Sequence, residues 1–217
     1  MAFQDFTTYT EVDPAGDYTI TATKIDISSI QRVASAYVYS DFGAAFFNNS
    51  FEHLMEFFLD STSALGERTN IWAMTNDVGD QDELDLASVS FFCASIGDEA
   101  PNTLRRLYEY DGVDAYADTA NDAGMGFDVV IYGKVERDED VGSFGTLYFS
   151  QYSDSERTTL ISTQTITLHT SKKDFEYLYG TMSDGRAGTN TWTGYVQNLD
   201  IGGAAVTHDL TLLGVGT

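Results

Sequence analysis

The chain has 217 residues, with 34 acids against 11 bases and a formal net charge of −23. A field of that sign repels phosphate backbones and anionic membrane surfaces, so a nucleic-acid partner is disfavoured. Apolar residues make up 42% and aromatics 13%, with prolines only at 14 and 101; disorder and a Pro-rich linker are excluded, and the length suits one all-β sandwich as well as two small domains.

In chain order, Phe3–Val12 reads as a first strand, Pro14 to Asp17 as a turn, and Tyr18–Ile27 as a second strand. Ser28–Val33 is ambiguous, and Ala36–Phe42 is a strand carrying Tyr37 and Tyr39. Phe51–Leu59 (FEHLMEFFL) fits either helix or strand; the turn residues after it and the partner run Thr69–Thr75 favour a strand buried on both sides. Ala87–Ile96 is strongly apolar. Thr103–Tyr110 and Val113–Asp118 predict a hairpin across Asp111-Gly112.

Gly126–Gly180 holds four apolar-rich runs separated by polar or Gly-rich turns. In the first, Phe127, Val129, Ile131 and Val135 alternate with Asp128, Tyr132, Lys134 and Glu136, the period of two that a half-buried strand needs. Thr146–Tyr152, Leu160–His169 and Phe175–Tyr179 follow, so the middle of the protein predicts an antiparallel meander. Thr191–Ile201 and Ala205–Leu213 close the chain. The whole predicts about thirteen strands and no helix.

Chemistry-bearing residues are sparse. Cys93 is the single cysteine and reads as a buried thiol; His53, His169 and His208 are dispersed. There is no nucleophile elbow, no phosphate-binding Gly loop, and no apolar run approaching the roughly 18 residues of a membrane span. The N-terminus lacks the pattern of a signal peptide, which predicts either synthesis and folding in a reducing cytosol or a sequence without its leader. Asp77, Asp80 and Asp82 lie in an acidic stretch that reads as a solvated loop, with a calcium site as the sharper alternative. The aromatics are the best binding feature, because sugar rings stack on Tyr and Trp. Tyr148, Tyr152, Tyr177 and Trp192 are the candidates for contact with a glycan or partner. The three tyrosines are expected to face outward, since Phe149 and Leu178 claim the core side.

The hairpin from Val129 to Tyr148, VIYGKVERDED followed by GTLYFSQYSD, resembles the central hairpin of concanavalin A-like lectin/glucanase jelly rolls, nearest the laminin-G-like branch. The run from Trp192 to Ile201, WTGYVQNLDI, resembles their last core strand, and the opening Tyr9–Asp13 and Ala36–Tyr39 runs resemble outer strands of versions in phage and environmental viral proteins. The resemblance implies two curved antiparallel sheets over residues 1–201, with a face and rim free for a glycan or partner. Residues 202–217 form a tail that either completes its own sheet or joins a neighbour's edge in a homo-oligomer. Glu83-Leu84-Asp85 looks like the glucanase catalytic strand, but Ala87 or Ser88 stands where the second acid is needed. The expectation is therefore a non-enzymatic virion-surface protein, for capsid decoration or host attachment, that binds a surface glycan or other virion proteins. The alternatives are a free-standing or secreted bacterial lectin, a carbohydrate-binding domain of a larger glycan-active protein, and a calcium-dependent adhesion module. Beyond calcium, no cofactor is expected.

Overall fold

The structure, a computed structural model, describes residues 3–47, 49–63, 68–99, 102–122, 128–171, 174–186 and 188–202. After a short 3-10 turn at Phe6–Thr8 come β1 (Thr10–Val12), β2 (Tyr18–Ile20), β3 (Lys24–Gln31), β4 (Tyr37–Asp41), β5 (Phe51–Thr62) and β6 (Arg68–Thr75). A helix, α1 (Gln81–Leu86), precedes β7 (Phe91–Glu99), β8 (Asn102–Tyr110), β9 (Ala115–Asp122), β10 (Val130–Asp138), β11 (Thr146–Tyr152), β12 (Leu160–Thr167), β13 (Tyr177–Met182) and β14 (Thr191–Asp200).

The strands form two antiparallel sheets of seven. Sheet A runs β1-β4-β13-β6-β7-β8-β9 and sheet B runs β12-β11-β10-β5-β14-β3-β2. Alternation explains why they stack. In β5 and β10 every second residue is buried, so Met55, Phe57, Ile131 and Val135 turn one way and polar neighbours the other. They meet Trp72, Met74, Phe92, Leu107 and Leu178 from sheet A in one core. Burying each large apolar side chain contributes about 1.5–3 kcal/mol.

The ambiguous FEHLMEFFL run is a strand at the centre of sheet B, longer than its apolar pattern indicated and buried on one face only; it pairs with β10 and β14, not with Thr69–Thr75, which lies in β6 of the other sheet. The predicted meander holds for β10-β11-β12, but its fourth run does not stay with it: β13 crosses to sheet A between β4 and β6. An alternating pattern marks a strand without naming its partner. The start of the chain is a 3-10 turn rather than strand, because the Asp5 side chain accepts the Thr7 N–H and caps it. The Asp111 carboxylate, accepting from the Val113 and Asp114 N–H groups, makes a longer loop than a two-residue turn, and β9 starts at Ala115. Phe127, His208 and the tail strand Ala205–Leu213 lie outside the described residues.

His53 belongs to the core. Its Nδ1 accepts the Trp72 indole N–H at 3.0 Å, and its ring stacks on Phe51 at 4.5 Å. Burial depresses its pKa from 6.5 to about 3. His169 sits at the rim, its ring 3.4 Å from that of Tyr116 and its Nδ1 3.0 Å from the buried Glu109 carboxylate.

Gly194 on β14 has no room for a side chain: a Cβ would lie 2.1 Å from the Phe58 carbonyl oxygen and 2.9 Å from the Trp192 ring. Gly194→Ala is expected to cost about 1–3 kcal/mol of stability, read as a drop in thermal midpoint; an unchanged midpoint contradicts this packing. The His53 proton gives a second check. Between pH 6.5 and 3 the unfolded chain binds it and the folded chain does not, so stability falls as pH falls, by at most about 1.4 kcal/mol per pH unit from this group. Melting across that window is expected to show a steeper acid loss in the wild type than in His53→Gln; parallel curves contradict it.

Candidate functional site

The outward parity of sheet A is unusually aromatic for a surface. Register places Tyr39, Tyr179, Ala73, Cys93, Tyr108 and Ala117 in one row across the strands, and Asp41, Tyr177, Thr75, Phe91, Tyr110 and Ala115 in the next. Tyr39 packs on Tyr177 at 5.7 Å and stacks on Tyr179 at 5.5 Å, while Phe91 lies 5.8 Å from Tyr110. These residues form a second apolar cluster, separate from the core between the sheets.

Part of this face is roofed by residues 76–89. Asp80 caps α1: its carboxylate accepts the Glu83 N–H, and the Glu83 carboxylate accepts the Asp80 N–H. This capping box, with Asp82 and Glu83 in the first turn facing the positive end of the helix, explains why six residues hold a helical turn here. Leu84 inserts into the aromatic cluster. Tyr179 is fully covered, its hydroxyl accepting the Gly79 N–H and donating to the Asp77 carbonyl. Tyr39, Tyr177 and Tyr110 remain only partly buried. Cys93 lies beneath the roof, and burial pushes its thiol up to about 11.

The roof is bolted at one end to residues 183–186. The Gln81 N–H donates to the Ser183 carbonyl, and the Asp80 carboxylate lies so near Gly185 that a Cβ there would sit 2.2 Å from it. Burial raises the Asp80 pKa to about 6. Asp184 has no exposed side-chain surface and is met by Arg32 Nε at 2.5 Å, Arg68 Nε at 3.6 Å and Arg186 Nη1 at 3.8 Å. Arg186 also reaches Asp85 at 2.5 Å. Arg106 donates to the Gln81 side-chain oxygen and lies 4.4 Å over the Tyr108 ring, whose hydroxyl points at Asp85. A polar corner thus adjoins the aromatic rows.

The predicted contact residues are not brought together. Tyr177 stands on this face. Tyr148 and Tyr152 are partly buried on β11, on the outer side of sheet B, opposite Glu136 and Tyr132. Trp192 is 2% exposed and belongs to the core. Tyr39 and the arginine corner were missed, and Tyr110 was one strand aromatic among several; the alternation at Tyr37-Val38-Tyr39 marked an outward tyrosine, but nothing in the sequence joined Arg32, Arg68, Arg106 and Arg186. Asp77, Asp80 and Asp82 do not converge either. Asp80 is the helix cap and Asp77 turns its carboxylate to the Val78 N–H. Among the described residues no three His, Cys, Asp or Glu side chains are grouped to hold a metal ion.

Gly185→Ala, at φ +73°, and Asp80→Ala are both expected to loosen the roof. The lost cap costs about 0.5–2 kcal/mol, and hydrogen exchange at residues 81–86 is expected to accelerate ahead of the rest of the chain. Uniform exchange in both variants contradicts the coupling.

No protein-family model and no curated protein matches the sequence. Solved structures do match. Alginate lyase Aly36B superposes with a TM-score of 0.58 at 12% identity, over 91% of this chain and 87% of that one. A legume lectin-like domain from Entamoeba histolytica gives 0.56 at 12%, over 93% and 95%. Full-length tailspike protein 2 from an Escherichia coli O157:H7 bacteriophage gives 0.53 at 10%, over 92% of this chain but 26% of the tailspike. The expectation of a non-enzymatic chain is corrected on two grounds. Glu83–Asp85 lies on α1 and not on a strand, so a second carboxylate missing from a glucanase-type strand said nothing about activity. An alginate lyase shares the fold as well, so the fold does not exclude glycan cleavage. What the architecture and its likenesses establish together is that this chain has the concanavalin A-like jelly-roll fold, two antiparallel seven-stranded sheets packed face to face.

Proposed function

We propose that the chain is a glycan-binding protein whose recognition face is the outer side of sheet A, and that it serves at the surface of a virus particle in host attachment or decoration. One observation carries the binding reading: Tyr39, Tyr177 and Tyr110 are partly buried rings, held on a sheet by aromatic neighbours at 5.5–5.8 Å. Rings immobilised before binding lose little entropy when a sugar stacks on them. Around them Asp41, Asp85 and Arg186 offer the charged and polar edges that hydroxyl groups require. Structural neighbours lend support, since a variant of the alginate lyase is solved with an alginate trisaccharide and another neighbour is lectin-like. The particle setting draws on the likeness to one part of a bacteriophage tailspike. A net charge of −23, which disfavours the nucleic acid inside a particle, agrees with a place on its outside.

A glycan array followed by titration tests the binding. Tyr39→Ala and Tyr177→Ala are each expected to weaken a glycan hit about tenfold or more, equivalent to about 1.4 kcal/mol. Tyr148→Ala and Tyr152→Ala, on the opposite sheet, are expected to leave it unchanged. Equal losses from all four, or silence across the array, overturn the assignment of the face. Incubating the same glycans with the chain and measuring new reducing or unsaturated ends reads cleavage directly. Mass spectrometry of purified particles is expected to find the chain at high copy number, and its absence from every particle ends the virion reading.

A further inference from the structure

The corner beside the aromatic rows gathers guanidinium groups from both sheets around one buried carboxylate. Of seven arginines in the chain, four converge here, in a protein whose net charge is −23. One guanidinium is enough to pair a buried carboxylate; Asp184 has three, at 2.5, 3.6 and 3.8 Å. Arg106 has an amide oxygen and a tyrosine ring for company. The acids that face the corner are Asp184 and Asp85 at short range and Asp82 at 3.8 Å from Arg186, with the capping pair Asp80 and Glu83 on the same roof. Burial and the like charges of Arg106, Arg32 and Arg186 hold Arg68 below its ordinary pKa, against the opposing pull of Asp184. Mutual repulsion of that kind is relieved by a further anion.

Hydrogen bonding points the same way. The buried side-chain donors Gln81 Nε2, Arg68 Nε and Arg106 Nε have no acceptor, and the Oδ1 of fully buried Asp184 has no donor within hydrogen-bond distance. Gln81 is itself wholly buried, so its idle amide hydrogens face no bulk water. The corner borders solvent through Arg32, Arg68 and Arg186, whose side chains are 19%, 22% and 33% exposed, while Arg106 and Asp184 lie beneath them.

We propose that the corner of Arg32, Arg68, Arg106 and Arg186 is a subsite for a sugar carboxylate, and that the glycan bound on this face contains uronic acid. The inference rests on the glycan-binding reading above and names the substrate class of that face. Guanidiniums present a planar fork that matches a carboxylate, and Arg32 and Arg186 already hold protein carboxylates at 2.5 Å. The neighbouring tyrosines would stack the rest of the sugar ring, so charge and apolar surface act on adjacent units of one chain.

The test uses the intact wild-type chain and four probes: oligogalacturonate and oligomannuronate, each as the free acid and as the methyl ester. The sugar is the same in each pair and only the charge differs. Titration at physiological ionic strength, where the repulsion of the −23 chain for an acidic oligosaccharide is screened, is expected to show the free acid of at least one pair binding tenfold or more tightly than its ester. Arg186→Gln is expected to shrink the preference while ester binding survives. Thermal melting confirms that each variant is folded, and the wild-type comparison stands without them. Equal binding of acid and ester, abolished by Tyr177→Ala, overturns the carboxylate subsite and leaves the glycan-binding face intact. Binding of a sulfated oligosaccharide in place of every uronate probe also overturns it. Silence toward these probes and across a neutral glycan array overturns both.

Discussion

Asp184 is a carboxylate with no exposed surface, and a buried charge must be paired or it costs several kcal/mol. That demand organises one whole end of the molecule. Arg32 comes from the turn after β3 in sheet B, Arg68 from the start of β6 in sheet A, and Arg186 from the loop that carries Asp184 itself. Meeting one acid thus ties the two sheets and the β13–β14 connection together. Ser183, next in the chain, accepts the Ala36 N–H and donates to the Ala34 carbonyl, so the neighbouring turn is pinned at the same place.

The consequences run outward from that knot. Gly185 is in the left-handed region at φ +73°, which lets the loop turn back under the Asp80 carboxylate. Asp80 caps α1, α1 delivers Leu84 to the aromatic cluster, and its Asp85 meets Arg186. Removing one partner of a buried pair leaves the other uncompensated, so the roof, the loop and the arginine corner are energetically coupled. The half-covered tyrosine face is the product of this arrangement: the roof closes one part of sheet A and leaves Tyr39, Tyr177 and Tyr110 at its edge.

The two outer faces differ because their strands differ. The outward parity of sheet B is mixed in character, with Glu52, Glu56, Lys134 and Glu136 beside Tyr132 and Tyr195, laced by ion pairs and a Lys24–Tyr195 contact at 4.2 Å. It needs no cover. The outward parity of sheet A in β6, β7 and β13 is covered by the roof almost throughout, with Tyr177 left partly exposed. Near-continuous apolar runs such as Ser90-Phe91-Phe92-Cys93-Ala94 are the sequence mark of that condition.

Side-chain alternation by itself determined that this protein is built of strands, where most of them run, and that Phe149 and Leu178 face the core while Tyr148, Tyr152 and Tyr177 do not. Those are properties of single strands, and a period of two is legible within a few residues. It left open which sheet each strand joins, and so it grouped β13 with the meander and set Tyr148 and Tyr152 beside Tyr177, although a sandwich separates them. It also took Glu83-Leu84-Asp85 for strand, because the Asp80–Glu83 capping box overrides pattern in a turn too short to show a helical period. Only the tertiary structure decided that Arg32, Arg68, Arg106 and Arg186 share one corner. Their sequence positions span both sheets, and attraction between charges depends on distance in space, for which spacing along the chain is no guide.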